Sequence, residues 1–100
     1  VQIWVTEFGW PTWEGYSTEP PEVFFTYNSA EQQGWYTIRA LEIGQQLDYV
    51  GPMFVWNLNF ANETLIQQRH EIAGYSIITP LTPPERPLFS MLHVSLNPED

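Results

Sequence analysis

Two stretches decide the fold: Ile3-Trp4-Val5-Thr6-Glu7-Phe8-Gly9-Trp10, and Gly51-Pro52-Met53-Phe54-Val55-Trp56-Asn57. Gln2 to Thr6 are dominated by β-branched and aromatic side chains, and Gly9 and Pro11 close the run, which predicts a short strand. Gly51 to Asn57 is apolar without alternation, the pattern of a strand covered on both faces, as parallel strands usually are. Between them, Ser29 followed three residues later by Gln32 forms a capping box. Tyr36, Ala40, Ile43 and Leu47 then repeat at helical spacing, predicting a helix from Ser29 to Asp48 with that stripe as its inner face. Strand, helix, strand is a βαβ unit.

Outside this unit the chain is broken by glycine and proline yet rich in aromatics. Glu7 to Asn28 reads as a long loop that packs or binds, with the Phe24-Phe25-Thr26-Tyr27 cluster as a hydrophobic staple for the following helix. Leu58 to Gly74 is a second irregular stretch. Tyr75 to Ile78 predicts a small strand, and Glu85 to Val94 a last helix in which Pro87 is tolerated in the first turn. The order is β, long loop, α, β, long loop, α.

Two parallel strands leave two unpaired edges and do not make a stable sheet in water, so missing neighbours are expected. Long aromatic loops after the strands, with a short return at Tyr49 to Gly51, match the βα-loop face of a (β/α)₈ barrel. The expected fold is therefore α/β, the carboxyl-terminal fragment of a TIM barrel containing its last two βα units. Such a barrel takes roughly 250 residues, whereas this chain has 100 and opens on Val1 within an apolar run. It reads as a piece that needs the amino-terminal part of the barrel as its partner.

Composition excludes several functions. Twelve acidic residues face three arginines and no lysine, a net charge of -9, so a phosphate-binding surface has little to be built from; nucleic acid and anionic membrane are not expected partners. The chain has no cysteine, which removes thiolate nucleophiles, disulfides and zinc-thiolate sites but leaves the compartment open. No apolar run reaches the roughly 18 residues of a spanning helix. No His, Asp and Glu spacing recommends a metal site, and no cofactor is implied. His70 reads as a solvated or paired loop residue rather than a base or a ligand, and His93 falls in the last helix with no companion. Asn62-Glu63-Thr64 fits a glycosylation sequon, a pattern common by chance.

Glu7 is placed where barrel enzymes project catalytic groups, at the carboxyl end of a strand. With regular alternation it would share a face with Val5 and Ile3. A surface glutamate that merely ends a strand is the bland alternative. Trp10 and Trp13 follow at once, and Trp56 ends the second strand at the equivalent level. Indole rings stack on the C–H faces of sugars, and an anionic oxygen near an anomeric carbon can attack it or stabilise an oxocarbenium-like transition state. Trp10 and Trp13 divide between loop packing and sugar platforms. Asn57 and Asn59 can bond sugar hydroxyls or their own loop backbone.

On the residues Ile3 to Trp10 and Gly51 to Asn57, with a helix between them, the chain resembles the seventh and eighth strands of the clan A retaining β-glycosidases, the cellulase, mannanase and β-xylosidase type barrels. Arg86-Pro87-Leu88-Phe89 resembles the clan's final helix. The resemblance implies Glu7 as the nucleophile, Trp56 as the floor of the subsite for the attacked sugar, and a candidate non-proline cis bond at Trp56-Asn57. Substrate-binding residues expected on this basis are Trp56, Trp10, Trp13 and Asn57, and the partner is a β-linked carbohydrate of plant type. The retaining mechanism needs a second carboxyl group about 5 Å away. In the clan that acid/base glutamate follows an asparagine on the fourth strand, which this sequence lacks; Asn62-Glu63 falls too late to serve, and Glu14 reads as a rim residue. The alternative function is a non-catalytic carbohydrate-binding module, or a barrel fragment that self-associates.

Overall fold

The computed structural model describes residues 1–97. Along the chain lie β1 (Ile3–Phe8), a 3-10 turn (Val23–Thr26), α1 (Ala30–Gln45), β2 (Val50–Val55), α2 (Glu63–Gln67), a second 3-10 turn (Glu71–Tyr75) and α3 (Pro87–Leu96). β1 and β2 pair in parallel as a two-stranded sheet. The molecule is thus a small α/β domain whose centre is the βαβ unit.

The pairing is irregular in a way that matters for Glu7. Ile3 lies opposite Val50, Val5 opposite Met53 and Phe8 opposite Val55, so β2 uses three residues where β1 uses two, and β1 then uses three where β2 uses two. Pro52, which has no N–H to donate, falls in the stretch where β2 has the extra residue. Thr6 and Glu7 fall in the stretch where β1 has it. The regular alternation expected to align Glu7 with Val5 and Ile3 is therefore interrupted: Val5 and Phe8 are half-buried, and Glu7 is exposed.

α1 begins as its sequence dictates. The Ser29 hydroxyl accepts from Gln32 N–H at 3.1 Å while Gln32 Oε1 accepts from Ser29 N–H at 2.8 Å, closing the capping box. The Glu14 carboxylate adds a third bond at this end, accepting from Ala30 N–H at 2.9 Å, where the helix dipole favours negative charge. The helix closes at Gln45, short of Asp48, and the chain returns to β2 through Val50 N–H on Leu47 O at 3.1 Å.

The buried face of α1 is not the expected stripe. Ala30, Gln33, Gly34, Thr37 and Gly44 are buried, whereas Tyr36, Ile43 and Leu47 are exposed. Small residues let the helix approach its neighbours closely: Gly34 faces Met91 and Leu88 of α3, and Gly44 faces Met53 and Val50 of β2. Tyr36, Ala40 and Ile43 instead flank a groove shared with Trp10 and Arg39.

Nor are the strands covered on both faces. No residue of β1 or β2 is buried, and Trp4 and Phe54 are 58% and 51% exposed. Among the described residues the sheet has no third strand, so both outer edges keep unpaired backbone groups. The core forms elsewhere, in the loops beyond the carboxyl ends of the strands: Trp13, Phe25, Ile66 and Ala73 pack together, flanked by Tyr16, Ala61, Leu65 and Tyr75. Phe25, wholly buried, meets Trp13 edge-on at 5.9 Å between centroids; it is a core residue rather than a staple for α1.

α3 starts with Pro87 in its first turn as predicted. The preceding Arg86 is 4% exposed; its Nη2 reaches Thr12 O at 3.5 Å and Glu14 O at 3.4 Å, and its guanidinium lies 4.8 Å from the Tyr16 ring centroid. The expected strand at Tyr75 to Ile78 is only a bridge from Ile78 to Glu85, preceded by the 3-10 turn. Asn62, of the sequon, caps α2 by accepting from Leu65 N–H at 2.9 Å. His70 caps the second 3-10 turn, its Nδ1 accepting from Ile72 N–H at 3.3 Å.

Candidate functional site

At the carboxyl end of the sheet, Trp56 N–H donates to Phe8 O at 2.8 Å, so the residues that close the two strands are held side by side. Gly9 permits this contact, because a Cβ there would stand 2.7 Å from the Trp56 carbonyl oxygen. Around this junction lies an open pocket of about 300 Å³ lined by Glu7, Phe8, Gly9, Trp56, Glu71 and Tyr75. Glu7, itself exposed, and Trp56 both line it. The Trp56-Asn57 peptide bond is cis.

Asn57 has a different task from the one expected. It is 3% exposed, and its side chain is fully engaged: Nδ2 donates to Ile72 O at 3.0 Å, while Oδ1 accepts from Phe60 N–H at 3.2 Å and from the Ser76 hydroxyl at 2.6 Å. Buried there, with both its amide nitrogen and its oxygen bonded within the chain, it is not open to a sugar hydroxyl. Asn57 instead ties the turn Glu71–Tyr75 to the end of β2, helped by Asn57 N–H on Tyr75 O at 3.3 Å. The loop after β1 holds the same turn from the other side, through Thr12 N–H on Gly74 O at 2.8 Å and Tyr16 hydroxyl on Ala73 O at 2.7 Å.

The tryptophans separate by role. Trp56 is half-buried and meets the Phe60 ring edge-on at 5.1 Å. Trp10 packs between Phe8, at 6.4 Å, and Tyr36 of α1, at 5.9 Å, and it lines the groove along α1 rather than the Glu7 pocket. Trp13 is 5% exposed in the loop core, with Nε1 donating to Thr18 O at 2.9 Å; it offers no ring face to a ligand. Of the four residues expected to bind substrate, Trp56 alone lies on the pocket.

Glu71 and Tyr75 complete the pocket and were not legible beforehand. They lie in and just after a stretch without periodicity, and they line the pocket from a turn that Asn57 and Tyr16 anchor. Burial, with the Glu71 carboxylate as a lesser cause, raises the Tyr75 phenol above its ordinary pKa. The ion pair among the described residues joins Arg39 to Glu42, so no cation neutralises Glu7 or Glu71.

A larger hollow of about 500 Å³, lined by Trp13, Glu14, Tyr16, Thr18 and Asn28 among others, is less suited to a ligand. Its polar groups already serve the chain: Thr18 hydroxyl donates to Ile66 O at 2.9 Å, Asn28 Nδ2 to Pro11 O at 3.4 Å, and Glu14 caps α1. Among the described residues no group of His, Asp and Glu side chains is placed to hold a metal ion, and no helix is long and apolar enough to cross a membrane.

The site and fold define an α/β domain with an acidic, tryptophan-walled pocket at the carboxyl ends of parallel strands. Comparison with family models, curated proteins and solved structures finds no match to this chain.

Proposed function

We propose that the chain is the segment of a (β/α)₈ retaining β-glycosidase that contains the last two βα units, acting on β-linked plant-type glycans. The observation that carries this is the pocket shared by Glu7 and Trp56 at the carboxyl end of the parallel pair, where barrel enzymes keep their chemistry. The exposed strand faces and the Trp10, Tyr36, Ala40 and Ile43 groove support it, since a preceding strand on the free edge of β1 and its helix against α1 would cover them.

In this mechanism the Glu7 carboxylate attacks the anomeric carbon of a sugar lying against Trp56 and forms a glycosyl ester. The departing oxygen takes a proton from a carboxylic acid in the amino-terminal part of the barrel, about 5 Å from Glu7. That group, now a carboxylate, removes a proton from water, and the resulting attack releases the sugar with retained configuration and restores Glu7. Tyr75, as a neutral phenol, is a donor to the sugar or to Glu7.

The test supplies the amino-terminal part, covalently or in trans, and follows an aryl β-glycoside. Turnover is expected in the completed barrel and not in the 100-residue chain; Glu7→Gln in the completed barrel should lose at least about a thousandfold in kcat with ligand binding retained. Ligand binding without turnover in the completed wild type would favour the carbohydrate-binding alternative. The apolar sheet favours self-association of the isolated chain, which its mass in dilute solution reports.

A further inference from the structure

The second carboxylate in the pocket bears on which sugars fit. Glu7 and Glu71 line the same 300 Å³ space, with Trp56 as an aromatic wall and Tyr75 as a neutral hydroxyl, and no arginine, lysine or histidine is among the lining residues. The backbone of the turn that carries Glu71 is fixed by the buried Asn57 side chain, by Tyr16 on Ala73 and by the His70 cap. A carboxylate on the wall accepts hydrogen bonds from sugar hydroxyls and repels a sugar that carries its own carboxylate, and such repulsion is an established route to specificity.

From the presence of Glu71 on the same pocket as Glu7 and Trp56 we infer that this pocket selects neutral glycosyl units and excludes uronic acids, with Glu71 as the specificity-determining residue. The inference rests on the carbohydrate role proposed above and extends it to substrate charge. It requires no change in the chemistry at Glu7, because Glu71 acts on recognition alone. The excess of negative charge over the whole chain, -9, works in the same direction at longer range.

The experiment uses the completed barrel with two sets of ligands: neutral methyl β-glycosides of xylose, glucose, mannose and galactose, and the matching glucuronide and galacturonide. Binding is read from the NMR signal of the Trp56 indole. The neutral ligands should move that signal and bind at least about tenfold more tightly than the acidic ones at low salt, with the gap narrowing as salt rises. Glu71→Gln should narrow the gap several-fold, and Glu71→Lys should favour the uronides; Glu71 is exposed, so both variants should fold. Equal binding of neutral and acidic ligands, or a gap unmoved by either variant, would overturn the assignment of Glu71 while leaving a glycan pocket in place. Failure of every glycoside to move the Trp56 signal would overturn both.

Discussion

The two strands and the loops that follow them invert the usual division of labour. β1 and β2 contain no buried residue, and Trp4 and Phe54 stand more than half exposed. The loops beyond their carboxyl ends hold a closed cluster of Trp13, Phe25, Ile66 and Ala73, bound by Tyr16 on Ala73 and Thr18 on Ile66. Regular structure ordinarily buries the core while loops ride on the surface. Here the loops are closed and the sheet is open, so the loop end is where this chain stabilises itself, and under the barrel proposal the sheet is where neighbours would pair. The pocket with Glu7 sits at the border of the two regions, with its β1 and β2 walls on the open side and Glu71 and Tyr75 on the closed one.

Substitutions in the two regions should therefore differ sharply. The largest loss is expected from Phe25→Ala, which empties the middle of the loop cluster and should cost about 3–5 kcal/mol; in a domain of this size that is enough to abolish a cooperative urea transition. A loss under about 1 kcal/mol would mean that the cluster is not the stabilising core. Ser29→Ala, which removes one half of the capping box, should cost about 1 kcal/mol in the same measurement. The smallest effect is expected on the sheet: Phe54→Glu should change the stability of the isolated chain by no more than about 0.5 kcal/mol and reduce any self-association seen by sedimentation. In the completed barrel the same substitution should prevent assembly or activity, because the site is then covered. An equally small effect in both forms would break the comparison and with it the case for missing strands.

Local signals were legible in the sequence wherever chemistry acts between near neighbours. The Ser29 and Gln32 capping box, the Pro87 start of α3 and the order of the parallel pair follow from residues a few positions apart, as does a short return between α1 and β2, although it lies at residues 46–49 rather than at Tyr49 to Gly51. Glu7 and Trp56 were legible as a pair because each closes a strand, and parallel strands bring their ends together. What could not be read depends on contacts made across the fold. The buried face of α1 is set by Gly34 and Gly44, whose value lies in the closeness of Met91 and Met53, while the more apolar Tyr36 and Ile43 face outward. The face of Glu7 depends on register shifts that no alternation pattern records. Asn57 reads equally as a ligand contact or a backbone clamp until Ile72, Phe60 and Ser76 are seen around it. Glu71 joins the pocket through a turn anchored from both loops, and its sequence neighbours carry no trace of that.

The central claim is that Glu7 forms a bond to sugar. Its most direct test is mass spectrometry of the completed barrel after reaction with an activated 2-deoxy-2-fluoro-β-glycoside, which slows hydrolysis of a glycosyl ester and lets it accumulate. A single adduct on the peptide containing Glu7 is the expected result, absent in Glu7→Gln. An adduct on another carboxylate, or turnover with inverted configuration and no adduct, would contradict the account.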